Sequence, residues 1–296
     1  MRLIARLLVT VFVLFVGQQA YAAKSDRVPS REGVLGALTE ILNAPERQPL
    51  PIERVREALK AHYLDNGGSI YWVGTGRMTP FIQRLEDAQF DGLNSGDYPV
   101  ETLIDVRDSV DPDDPRSAAQ AELYYSAFFV AYAADLKIGR VAPQKVDPRL
   151  FRSRKSIDVL RVLTDLNKQR NPGTFLSSFE PQNEHYQALK RMMRIYSNQA
   201  DEGNWPVIGQ GVALKPGMSD PRIPRIRSLL ALTGDYEWQV TDSPVYDEQL
   251  AIAVRRFQQR HGLEAKGLIG KQSVIAMDMK PEERINQIML NMGARF

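Results

Sequence analysis

No cysteine occurs among the 296 residues, and histidine occurs three times, at His62, His185 and His261. The first absence excludes a disulfide framework, a thiolate zinc site and a cysteine nucleophile within these residues. The second leaves no HxxH or HExxH spacing, and three scattered imidazoles do not supply the three converging ligands of a catalytic zinc. No metal and no cofactor is therefore expected. Long apolar runs are also scarce. The run at 7–16 is too short to cross a bilayer, and in "AELYYSAFFVAYAADLKIGRV" Glu122 and Asp135 bracket only about a dozen apolar or small residues. That second stretch is expected to be a helix buried centrally in an all-α domain, because it is apolar on nearly every face.

Charge of one sign is lacking too. The formal net charge is +2, and two of the positive charges, Arg2 and Arg6, precede the apolar run of residues 7–16. Ala20-Tyr21-Ala22 follows that run with small residues where a signal peptidase reads. Residues 1–22 are thus expected to be a cleaved signal peptide and the location periplasmic, with a retained N-terminal anchor as the alternative. Removing both arginines takes +2 to 0, leaving no basic excess to attract nucleic acid or anionic lipid, and no membrane span is expected after cleavage.

The remaining sequence has helical periodicity throughout, so the expected fold class is mainly α. "REGVLGALTEILN" reads as a lead-in helix. "PIERVREALKAHYLDNGG" carries Ile52, Val55, Leu59 and Tyr63 on one face and ends at Gly67-Gly68. A short extended piece around Tyr71-Trp72 precedes a helix over about 80–88. Asp114 is placed as N-cap of the long helix, with Pro115 at its first position and Gly139 beyond its end. "IDVLRVLTDLN" and "NEHYQALKRMMRIYSNQ" follow as helices. The Pro- and Gly-rich "NWPVIGQGVALKPGMSDPRIP" has no periodicity and marks a joint near residue 216. Beyond it, Ile226, Leu229 and Leu230, then Leu250, Val254 and Phe257, then Val274 and Met277 predict three short helices around one core, with "PEERINQIMLNMGARF" as an exit helix.

"AVRRFQQRHGLEAKGLIGKQSVIAM" resembles the three-helix peptidoglycan-binding module of exported bacterial cell-wall proteins, through Phe257-Gln258, His261-Gly262-Leu263, Gly267 and Ile269-Gly270 in that order. The stretches "YLDNGGSIYWV…MTPFIQRLEDAQFDGLNSGDYPVETL", "AELYYSAFFVAYAADLKIGRVAPQKVDP" and "WPVIGQGVALKPGMSDPRIPRIRSLLALTGDY" resemble the scaffold domain of the large L,D-transpeptidases. The resemblance implies an all-helical scaffold over 23–215, a peptidoglycan-binding module over 216–280 and an exit helix over 281–296. In that family a β-rich catalytic domain follows and acts through a cysteine near a histidine. Since no cysteine is present here, the resemblance implies peptidoglycan binding and not transpeptidation by these residues, with catalysis supplied, if at all, by a separate cell-wall protein. Two alternatives stand beside this reading. One is a fragment of an active transpeptidase whose catalytic domain lies beyond Phe296, and the other is a hydrolase using scaffold carboxylates.

Candidate contacts cluster around the glycine-flanked turn. Gln258 and Gln272 offer amides suited to peptide and N-acetyl groups, and Lys266 and Lys271 offer cations for stem-peptide carboxylates, unless they are solvated surface lysines. His261 stands at a helix end, where it either contacts ligand or caps the helix. As the module's one side chain ordinarily titrating between about pH 5 and 8, it is expected to strengthen binding on protonation. Phe257 reads as core, and Gly262, Gly267 and Gly270 read as backbone devices. In the scaffold, Trp72 beside Tyr71 is either a sugar platform or core. Glu86-Asp87 is a carboxylate pair whose proximity in sequence does not establish a glycosidase cleft.

Overall fold

The computed structural model describes residues 28–139 and 156–293. The signal-peptide reading of residues 1–22 lies outside the described residues. Among the described residues there are twelve α-helices and no strand, and no helix is long and apolar enough to cross a membrane. The chain forms two compact units, one running to Pro181 and the other spanning Gln182–Gly293.

The first unit is organised by the absence of a polar face on its longest helix. Helices α1 (Arg31–Asn43), α2 (Leu50–Lys60), α3 (Met78–Glu86), α4 (Val100–Asp108), α5 (Pro115–Ile138), α6 (Val159–Leu166) and α7 (Pro172–Leu176) follow in order. The Asp114 carboxylate accepts from the Arg116 N–H at 2.9 Å, Pro115 opens α5 and Gly139 ends it, as their sequence positions predict. Leu123, Tyr125, Phe129, Tyr132 and Leu136 are fully buried, and α1, α2, α4 and α6 pack against α5. A helix that is apolar all round must be surrounded, and here protein surrounds it.

The aromatic piece around Tyr71-Trp72 pairs with no strand. It crosses the core as irregular chain, and its backbone N–H groups are collected by Glu122 of α5. Trp72 is 1% exposed, its indole packs against Phe81, Tyr125 and Phe129, and its Nε1 donates to Ser126 at 2.9 Å. This burial leaves no face for a sugar ring, so Trp72 belongs to the core. Glu86 and Asp87 are exposed where α3 ends and the following 3-10 turn begins.

The second unit contains α8 (Glu184–Glu202), α9 (Ile223–Leu232), α10 (Glu248–Arg260), α11 (Lys271–Asp278) and α12 (Pro281–Gly293). Its core joins Ile226, Leu229, Leu230, Leu250, Val254 and Phe257 to Val274 and Met277, the same positions that the periodicity selects. Composition marks a joint near 216, whereas the compact units divide between Pro181 and Gln182. The Pro- and Gly-rich stretch is laced onto the second unit by hydrogen bonds that its composition does not reveal. Asp278 accepts from the N–H groups of Ile208 and Gly209 at 2.6 and 3.1 Å, and Trp205 Nε1 donates to the Met277 carbonyl at 3.0 Å. Leu214 and Ile269 exchange backbone bonds of 3.1 and 2.9 Å as an antiparallel bridge. Helix α8 packs on α12, which draws it into this unit although it precedes the joint.

Candidate functional site

The second unit carries a groove of about 220 Å³ between the turn after α10 and the start of α11. Gln258, Leu263, Lys266, Leu268, Lys271 and Gln272 line it. The turn is positioned by Gln258, which is 2% exposed and has no freedom left. Its Nε2 donates to the Leu268 carbonyl at 2.8 Å and to Ser273 Oγ at 3.0 Å, while its Oε1 accepts from the Gly267 N–H at 2.9 Å. Three bonds from one buried amide clamp α10, the turn and α11 together, and satisfy groups that would otherwise be costly to bury. Gly267 has φ +71, and a side chain there would also crowd Arg255, so the glycine serves the backbone. Tyr246 reinforces the same turn by donating its hydroxyl to the Gly267 carbonyl at 2.6 Å.

Four of the five predicted contact residues, Gln258, Lys266, Lys271 and Gln272, thus meet in one groove. Gln258 forms its floor and is spent on the protein. Lys266, Lys271 and Gln272 are exposed at its rim. Lys266 reaches Glu264 at 2.6 Å, a solvent-facing pair that a competing anion could exchange at little cost. The groove combines apolar patches at Leu263 and Leu268 with two ammonium groups and a mobile-length amide side chain, a surface suited to an acidic peptide or an amide-bearing sugar.

His261 is the fifth, and it turns away from the groove. It is the C-cap residue of α10, with its ring 4.2 Å from that of Phe257 and its Nε2 enclosed without a hydrogen-bond partner. Burial, with the Arg284 and Arg260 charges adding to it, lowers its pKa to about 3. A pKa lowered that far, with the ring packed away from the groove, speaks against the expectation that its protonation tunes binding between about pH 8 and 6. The unfolded chain takes up the proton that the folded unit refuses. Stability of the second unit is therefore expected to fall as pH drops from about 6.5 toward 3, by at most about 1.4 kcal/mol per pH unit, and His261→Gln should remove that contribution. Thermal unfolding of both proteins across this range checks it.

Phe257 is 1% exposed and belongs to the core. His62 is also buried, 3.2 Å from the Asn167 side-chain nitrogen, and burial lowers its pKa to about 4. His185 is exposed. Among the described residues no cluster of carboxylates and imidazoles is arranged to hold a metal. Sequence reading missed Tyr246, Ser273 and Leu268 as builders of the groove, and only the weak signal of their proximity to the glycines pointed there.

Residues 57–193 match the family model described as Scaffold domain. The match runs from α2 into α8 and ends before the groove. No curated protein is significantly similar to the chain.

Proposed function

We propose that the chain is an exported peptidoglycan-binding protein, the non-catalytic portion of an L,D-transpeptidase of cell-wall cross-linking, and that the groove at α11 is its contact with the wall polymer. The observation that carries the reading is the convergence of Lys266, Lys271 and Gln272 on one groove whose floor is fixed by Gln258. Peptidoglycan offers what such a groove would select: stem-peptide carboxylates for the lysines, and peptide or N-acetyl amides for Gln272. The match over residues 57–193 is to a model described as Scaffold domain, which agrees with the scaffold part of the reading, and the cell-wall part rests on the groove and on the sequence resemblance. Transpeptidation is not assigned to these residues, since a thioester route needs a cysteine and none is among them.

The expected result is that the protein sediments with purified sacculi and is released by salt, as contacts between exposed charges are screened. The double charge reversal Lys266→Glu with Lys271→Glu should weaken retention at least tenfold, about 1.4 kcal/mol, without altering the melting of the unit, because both side chains are exposed. Retention equal to that of the unaltered protein would remove the groove from the reading. Recovery no better than that of an unrelated neutral protein would remove peptidoglycan itself.

A further inference from the structure

A second recess lies in the first unit, and its chemistry differs from that of the groove. It encloses about 250 Å³ and its walls are largely apolar, formed by Pro29, Trp72, Met78, Val110 and Pro112. The indole N–H is spent inward on Ser126, and the Trp72 backbone N–H on Glu122, so Trp72, 1% exposed, backs the wall of the recess and offers it no donor. The polar residues that line it are Thr79 and Arg107, with the glycines Gly74 and Gly76 between apolar neighbours. Arg107 is chelated by Asp108 through Nε at 2.7 Å and Nη2 at 3.2 Å. That pairing occupies both oxygens of Asp108 and orients the planar guanidinium, leaving Nη1 outside the chelate. The wall is held from behind, because Glu122 gathers the successive N–H groups of Tyr71, Trp72 and Val73 and so fixes the segment that carries it. A recess with a pre-set wall loses little affinity to ordering on binding.

From this geometry we infer that the recess is a binding site for a small aliphatic carboxylate, its hydrocarbon against Met78, Val110 and Pro112 and its carboxylate on Arg107. The volume falls just below the usual range for small-molecule sites, which suits a branched chain of amino-acid size and is too small for a nucleotide or a disaccharide. An arginine at the rim of an apolar recess selects a carboxylate over the corresponding neutral amide, because the charge-assisted bond is the stronger. The site lies in the unit that does not carry the groove, and stands or falls independently of peptidoglycan binding.

The test is a titration of the full chain with isocaproate and, separately, with isocaproamide, following the amide signals of Gly74 and Gly76 in nitrogen–proton correlation spectra. Saturable shifts with about tenfold tighter binding of the carboxylate, a difference of about 1.4 kcal/mol, are expected. Arg107→Gln should make the two ligands equal, and Val110→Trp, which fills the recess, should abolish both responses. Unchanged dispersion of the remaining signals reports that each variant is folded. Absence of saturable shifts in the unaltered protein would overturn the site. Equal affinity for carboxylate and amide would overturn the ligand class, and a preference that survives Arg107→Gln would overturn the role of Arg107.

Discussion

Glu122→Ala is expected to lower the stability of the first unit by about 3–5 kcal/mol, because it leaves a set of buried donors without an acceptor. The carboxylate is fully buried on α5. Its Oε1 accepts from the Tyr71 N–H at 2.5 Å and the Tyr63 hydroxyl at 3.1 Å, and its Oε2 from the N–H groups of Trp72 and Val73 at 3.0 and 3.2 Å. No water can replace those bonds without opening the core around Trp72. Glu122→Gln is expected to be destabilising as well, since its NH2 group must face a donor. Chemical denaturation followed by near-ultraviolet circular dichroism reads both variants, and a loss below about 1 kcal/mol for alanine would show that the loop finds other acceptors.

Burial also raises the Glu122 pKa to about 7, although its donors oppose the rise. The folded unit then holds a proton that the unfolded chain has released above about pH 4.5. The associated stability is complete below that pH and is lost as pH rises through about 7, by up to about 3 kcal/mol. His62 acts in the opposite sense on the acid side, where its lowered pKa makes stability fall with falling pH. Comparison with Glu122→Gln isolates the carboxyl group: the advantage of the unaltered protein should shrink between about pH 5 and 8. A constant advantage would mean that Glu122 keeps one protonation state throughout.

Arg227→Ala is expected to destabilise the second unit by about 3–5 kcal/mol through a comparable loss. Arg227 is fully buried on α9, one turn from the buried Ile223 and Leu230 and so beside the apolar face. Its Nη1 donates to the carbonyls of Thr241 and Ser243 at 3.2 and 2.8 Å, and its Nη2 to the Val245 carbonyl at 3.1 Å and to Asp247 at 2.9 Å. One guanidinium therefore folds the connection between α9 and α10 onto the helices and fixes the residue that caps α10, where Asp247 accepts from the Leu250 N–H at 2.8 Å. Lysine cannot reproduce a planar fork with several donors, so Arg227→Lys should recover only a minor part of the loss. Thermal melting of the unit, together with hydrogen exchange at Leu250, separates this role from simple volume loss. A variant that melts normally would show that the connection is held by other contacts.

Sequence alone determined the features that depend on local chemistry. The caps and proline of α5, the periodic core of α9, α10 and α11, and the glycines of the turn follow from hydrogen-bond and steric rules that act over a few residues. It also brought forward four side chains of the groove, because they sit within a short stretch and the turn folds them together. Tertiary structure alone decided what depends on distant partners. Gln258 became floor instead of contact because Leu268, Gly267 and Ser273 use all of its amide. His261 left the site because it packs on Phe257 close to the Arg284 charge, from a helix later in the chain. Glu122 and Arg227 read as ordinary charged residues in a helical pattern, and only the approach of the 71–73 and 241–247 segments turned them into buried hubs. A hydrogen bond between remote segments has no period in the sequence, and burial of a charge is decided by whether such partners arrive.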